Sequence, residues 1–158
     1  MKKTFLLLLF VVISFVAVSC KAPQGAQLSG SLEEIMAEIY ANADIDESEK
    51  FATHTEALSD ANVVYMLGTA EVKFEEGFTS EPMINVNPHS IVLVRLADGA
   101  DVEAAKKLIK ENVDPRKWIC VGVEESDVVV DNIGNIIILI MDKNSAAYHD
   151  AFKALPRQ

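Results

Sequence analysis

From Phe5 to Val18 every position is apolar except Ser14, and beyond residue 20 no run of that kind recurs until Ile136. Fourteen helical residues span about 21 Å, short of the roughly 30 Å hydrocarbon core of a bilayer. Lys2 and Lys3 precede the run, and Ala17-Val18-Ser19-Cys20 closes it. A positive start, a short apolar core and small residues at the end form the pattern of a secretory signal peptide. After it, residues 21–30 carry Pro, Gly, Ser and Gln without periodicity, which predicts a flexible tether.

The first amphipathic period begins at Ser31. Ser31-x-x-Glu34 is a capping box, and Leu32, Ile35, Met36, Ile39 and Tyr40 fall on one helical face, so a helix is expected to about Asn42. Residues 43–50 are polar and acidic, as in a loop. Leu58, Val63, Val64, Met66 and Leu67, closed by Gly68, predict a short helix starting after Ser59 or Asp60. The period then changes. Glu71-Val72-Lys73-Phe74-Glu75 alternates like a half-buried strand, and residues 79–86 suggest a second strand ending at Val86 before the Asn87-Pro88 turn.

Ile91–Leu96 reads as a strand. A helix follows Asp101 with Val102, Ala105, Leu108 and Ile109 on one face, an i,i+4 pair of Glu103 with Lys107, and a stop at Asp114-Pro115. Val128–Val130 and Ile136–Met141 flank residues 131–135, which carry hairpin residues. Asn144 or Ser145 caps a last helix with Tyr148, Ala151, Phe152 and Leu155 inward. The expected fold is therefore α+β: an antiparallel sheet of about four or more strands with packed helices. An N-terminal helical segment comes first, and the C-terminal portion is arranged as a pair of strand–strand–helix units. A 45-residue shift lays Ile91–Leu96 over Ile136–Met141 and helix 101–110 over 146–155. Either an ancient duplication or the ordinary recurrence of such units accounts for that match. Because Ile136–Met141 has no polar position, both its faces must be covered. The two C-terminal helices are expected on one face and the N-terminal helix on the other, with a second copy as the alternative cover.

Composition sharpens this picture at its two ends. Half of the 158 residues are hydrophobic, yet 24 Asp and Glu oppose 14 Lys and Arg. Cleavage after residue 19 removes two lysines and most of the excess hydrophobicity, leaving 139 residues with a charge of −12. A chain this acidic is unsuited to nucleic acid or to a polybasic grip on lipid. The predicted organisation is a cleaved signal peptide over 1–19, a lipidated cysteine and tether over 20–30, and one domain over 31–156. Ala17-Val18-Ser19-Cys20 resembles the bacterial lipobox, which implies a diacylglycerol thioether on Cys20 and cleavage before it. Ala17-x-Ser19 also suits ordinary signal peptidase. Lys21 stands where aspartate retains lipoproteins at the inner membrane of enteric-type bacteria, so in a host with two membranes the sequence leans toward the outer one.

Candidate chemistry is sparse. Cys120 lies in the apolar run Trp118–Val123, with no neighbour but Lys117 to activate it, and is expected in the core. If Cys20 is not lipidated, a Cys20–Cys120 disulfide becomes an option. His54, His89 and His149 lack zinc-ligand spacing, and His149 is expected on a solvated helix surface. An EF-hand loop starting at Asp44 would need Gly at 49 and Glu at 55, where this chain has Glu49 and Thr55. Residues 124–127 read as a solvated turn, and Trp118 as core. No phosphate loop, nucleophile elbow or zinc-protease motif is present, so no catalytic, metal or cofactor residue is assigned.

The lipobox, the capped first helix, Pro82-Met83-Ile84-Asn85-Val86 before the Ile91–Leu96 strand, Gly134-Asn135 before a strand ending at Asp142, and Phe152 in the last helix together resemble the bacterial lipoproteins grouped as domain-of-unknown-function family 4358. The resemblance covers about residues 31–155. It implies an extracytoplasmic α+β domain and carries no catalytic residues. Two functions follow as expectations. The first is a non-enzymatic envelope lipoprotein, its domain monomeric, that binds an envelope protein or small ligand while its lipid holds the membrane. The second is an envelope-polymer hydrolase working through a carboxylate pair.

Overall fold

The computed structural model describes residues 27–157, Phe51 excepted. The predicted signal peptide and Cys20 lie outside the described residues. The elements in chain order are α1 (Leu32–Asn42), β1 (Thr53–Ala57), α2 (Val63–Leu67), β2 (Glu76–Pro82), β3 (Ser90–Arg95), α3 (Val102–Asn112), β4 (Val128–Ile133), β5 (Ile136–Met141) and α4 (Ser145–Lys153). The five strands form one antiparallel sheet in the order β1-β2-β3-β5-β4. The expected α+β class is the one observed.

The all-apolar β5 sits inside this sheet between β3 and β4, buried at every position. Its alternation splits the core into two. Ile136, Ile138 and Ile140 pack with α1 and α4 through Leu32, Ile35, Met36, Ile39, Tyr148 and Phe152. Ile137, Leu139 and Met141 pack with α2 and α3 through Leu67 and Ile109, and with Trp118 of the segment that follows α3. Both faces are thus covered by the chain's own helices. The pairing of helices differs from expectation, since α3 and α4 lie on opposite faces. The reason is in their stripes. The 45-residue shift carries buried Ala105 and Ile109 onto exposed Asp150 and Ala154 of α4. Among the strands the shift carries β3 onto β5 alone: Ser80, the β2 partner of Ile91, and Ile133, the β4 partner of Ile136, lie 53 residues apart. The antiparallel β3–β5 pairing relates β2-β3 to β4-β5 by a local two-fold, but the 45-residue correspondence extends neither to β2 and β4 nor to the helices.

Capping follows the sequence closely. Ser31 Oγ accepts from Glu34 N, and the Glu34 carboxylate accepts from Ser31 N. Asp101 caps α3. On α3 the expected Glu103–Lys107 pair is replaced by Lys106–Glu103 and Lys107–Glu111, because Lys106 is drawn to Asp131 and Asn132 of β4. Gly68 ends α2 at φ +75, where a Cβ would stand 2.0 Å from the Asn112 carbonyl oxygen.

Three segments depart from the sequence reading. Residues 71–75 form no strand. Their alternation survives as burial of Val72 and half-burial of Phe74 against the α2–α3 core, without a ladder. The strand expected to reach Val86 stops at Pro82, leaving Met83, Ile84 and Val86 exposed in the β2–β3 turn. β1 has no counterpart in the reading, because Thr-His-Thr-Glu-Ala is exposed and carries no apolar period.

The start of the domain is also earlier than residue 31. Leu28 is 5% exposed within the α1–α4 core. Gln27 Oε1 accepts from Asn135 N at 3.1 Å, and the Gly30 carbonyl accepts from Arg95 Nη2 at 2.6 Å. Residues 27–30 are therefore anchored at the end of the sheet that holds the β4–β5 turn. That turn uses Gly134 at φ +56, beside Gln27.

Candidate functional site

Polar residues gather at the opposite end of the sheet, and strand register explains why. β3 and β5 pair from Ser90↔Met141 to Arg95↔Ile136, so the next pair out is His89 with Asp142. β2 and β3 pair to Ser80↔Ile91, so the next pair out is Glu81 with Ser90. Side-chain alternation then sends His89 and Ser80 to the α1–α4 face, and Ser90 and Glu81 to the α2–α3 face.

On the α1–α4 face, His89 Nδ1 lies 2.8 Å from Asp142 Oδ2, and Nε2 lies 2.5 Å from the Tyr40 hydroxyl. Tyr40 Oη is 2.7 Å from Ser80 Oγ. Proton bookkeeping assigns the directions for a neutral imidazole. The Asp142 carboxylate accepts, so Nδ1 carries the proton. Nε2 then accepts from Tyr40 O–H, and Ser80 O–H donates to Tyr40 Oη. The second Asp142 oxygen accepts from Asn144 N at 2.6 Å. His89 is fully buried. Burial pushes the Tyr40 hydroxyl up to about 12, against the opposing bonds from Ser80 and Thr53, and raises Tyr148 further still. Tyr40 thus keeps its proton at neutral pH and serves as a donor, not as a nucleophile.

On the α2–α3 face, Lys117 Nζ donates to Glu81 Oε1 at 2.9 Å and to Ser90 Oγ at 3.0 Å, while Ser90 O–H donates to Glu81. The lysine and glutamate side chains are 3% and 6% exposed. Burial lowers the Lys117 amine, and the Glu81 charge opposes that shift. The ammonium also lies 4.7 Å from the Tyr65 ring centre and 5.3 Å from that of Trp118, a cation–π arrangement on both sides.

Two openings touch these networks. A cavity of about 160 Å³ is lined by Tyr40, Ala43, Ile45, Lys50, Thr53 and Tyr148. A broader cleft of about 560 Å³ reaches Asp142 and gathers the carboxylates of Glu49, Glu124, Asp127 and Asp142. A second cleft, of about 710 Å³ between α1 and α4, holds the carboxylates of Glu38, Asp44 and Asp150. In the cleft at Asp142 the carboxylates are partly spoken for. Two of the four are already engaged, Asp142 by His89 and Asn144, and Glu49 by Lys143 and Asn144. Among the described residues no group of His, Cys, Asp or Glu is placed to hold a metal ion.

The sequence-selected residues are scattered. Cys120, expected in the core, is exposed with φ +63. Trp118 and Val123 anchor the segment inside, and the Val123 N–H donates back to the Pro115 carbonyl, so residues 119–120 loop outward. His149 is half-buried, not solvated, and donates to Asp131 at 2.8 Å. Burial opposes the Asp131 charge, but bonds from His149, the Asn132 N–H and Lys153 outweigh it and hold the carboxyl well below the ordinary carboxylate range. Residues 125–127 form an exposed turn, as expected. The networks around His89 and Lys117 were not found by motif. Their signal was subtler: polar residues placed directly at the ends of the apolar strands, at His89-Ser90 and Asp142.

Comparison with known proteins gives no match: no protein-family model, no curated protein and no solved structure aligns with this chain.

Proposed function

We propose that this protein is a bacterial envelope lipoprotein, held on the extracytoplasmic side of a membrane by lipid on Cys20, whose domain is a non-enzymatic binding module for an envelope protein or small ligand. The motifs quoted above resemble those of the lipoproteins grouped as domain-of-unknown-function family 4358, which supports this reading. The observation that carries the reading is the docking of residues 27–30 at the β4–β5 end. Only residues 21–26 separate that anchor from the lipidated cysteine, seven Cα–Cα steps from Cys20 to Gln27. Seven residues reach about 25 Å when fully extended. The β4–β5 end then faces the membrane, and the β2–β3 turn, with Met83, Ile84 and Val86 exposed, points away from it. The engaged state of the buried ionisable groups supports binding over catalysis, since Lys117, Glu81, His89 and Asp142 are each paired inside the fold.

Cys20→Ser tests the anchor. One lipid chain gives only reversible binding, whereas two or three on one residue hold a protein firmly. The wild-type chain is expected in the membrane fraction with incorporated palmitate. The variant is expected without label, and either released or left unprocessed. Equal labelling of the two would overturn the reading.

A further inference from the structure

Tyr148 is 7% exposed, with its ring 5.5 Å from those of Tyr40 and His89. Its hydroxyl takes no part in the His89 network and has no hydrogen-bond partner among the described residues. Thr79 Oγ1 and Trp118 Nε1 also lack partners, but both are sealed from solvent. Tyr148 instead lines the 160 Å³ cavity, with Tyr40, Ala43, Ile45, Lys50 and Thr53. A buried hydroxyl left unbonded is costly, so this one calls for an acceptor from outside the fold. Burial, and after it the neighbouring Tyr40 and Asp142, push the hydroxyl up. It therefore keeps its proton and serves as a donor.

The other polar groups of the lining sort by whether they are engaged. Tyr40 is committed to His89, Ser80 and Thr53. Lys50 Nζ donates once, to Glu47 at 2.5 Å, and an ammonium has three donors. Glu47 is 86% exposed, and such surface pairs are weak. Tyr148 O–H and Lys50 Nζ are thus the donors on offer. No Asp or Glu lines the cavity, in a chain that has 24 of them. The contrast lies next door. Lys50 also lines the broader cleft, where Glu49, Glu124, Asp127 and Asp142 stand with it.

The cavity therefore offers one positive charge and a free phenol donor, with two aromatic rings, a methyl group and Ile45 as its remaining walls. That lining repels a cation and suits an anionic acceptor joined to an apolar body. Inorganic phosphate fits poorly, because it brings no apolar part and up to two charges for one ammonium. Size limits the body as well, since a void of about 150 Å³ holds a benzene-sized group.

We propose that this cavity binds a small monocarboxylate, its apolar or aromatic body against Tyr40, Tyr148 and Ile45, and its carboxylate accepting from the Tyr148 hydroxyl and the Lys50 ammonium. The proposal deepens the binding-module reading and rests on it. Its test uses unlipidated protein, so a failed anchor and a failed site give separate results. Benzoate and butyrate are titrated into the mature chain carrying Cys20→Ser, with benzyl alcohol, 1-butanol and inorganic phosphate as comparisons. Calorimetry and the NMR signals of the tyrosine rings read the binding. At least one carboxylate is expected to bind with a Kd of about 1 mM or tighter, to shift the Tyr40 and Tyr148 ring signals, and to exceed its alcohol by about tenfold. Tyr148→Phe removes a hydroxyl that the fold does not use. It is expected to leave the urea midpoint unchanged or higher while weakening carboxylate binding about tenfold. Lys50→Met keeps most of the stem and is expected to erase the preference for carboxylate over alcohol. Four results would each overturn the proposal: no binding of either carboxylate, binding that leaves the tyrosine rings unshifted, alcohols or phosphate that bind as tightly, or affinity indifferent to Tyr148→Phe. The titration of the unsubstituted cavity decides even if a variant fails to fold.

Discussion

Lys117→Ala is expected to cost the domain about 3–5 kcal/mol, a large fraction of the roughly 5–15 kcal/mol that typical domains possess. The magnitude comes less from the lost attraction than from what is left behind. Glu81 would remain in the α2–α3 core with its carboxylate 6% exposed and only the Ser90 hydroxyl to bond it. A cavity beside Tyr65 and Trp118 would add to the loss. The same logic predicts a rescue. Removing both charges with Lys117→Met and Glu81→Leu takes away the two desolvation penalties together, and such replacements are often neutral. Urea denaturation of the two single variants and the double variant checks this. Singles that lose less than about 1 kcal/mol would mean that the pair is open to water. A double variant as weak as the singles would mean that packing, not charge, dominates.

His89→Leu is the second large effect, about 3 kcal/mol. It keeps the volume approximately and removes both ring nitrogens. Asp142 would retain only the Asn144 amide, and the Tyr40 hydroxyl only its threonine and serine neighbours. These groups tie β3, β5, α1 and the start of α4 together at one end of the sheet. The loss should therefore appear in denaturation midpoint and also in the near-ultraviolet circular dichroism of Tyr40 and Tyr148, whose rings pack edge-to-face at 5.5 Å. A variant with unchanged stability would show that the imidazole is replaceable filler.

The contrast between what was and was not legible in the sequence has a physical basis. α1, α3 and α4 were readable because each joins a cap or stop to a 3.6-residue stripe, as with Ser31 and Glu34 or Asp101. β3 and β5 were readable because an unbroken apolar run must be covered twice. β1 was missed because an exposed edge strand asks nothing of its side chains, and its identity resides in backbone bonds to β2. Residues 71–75 misled for the opposite reason: their alternation records one buried face, which a packed extended segment shows as well as a strand does. The apolar neighbours of Cys120 point it inward, whereas Trp118 and Val123 alone carry that burial. The polar networks needed register. His89 and Asp142 are 53 positions apart, and only the β3–β5 pairing sets them side by side.

The proposed lipid anchorage at Cys20 is tested most directly by the mature N-terminus. The protein would be extracted from bacterial membranes and its N-terminal peptide analysed by mass spectrometry. The expected chain begins at Cys20, its sulfur carrying diacylglycerol. A chain that begins at Cys20 without lipid, or one that retains Met1, would contradict it.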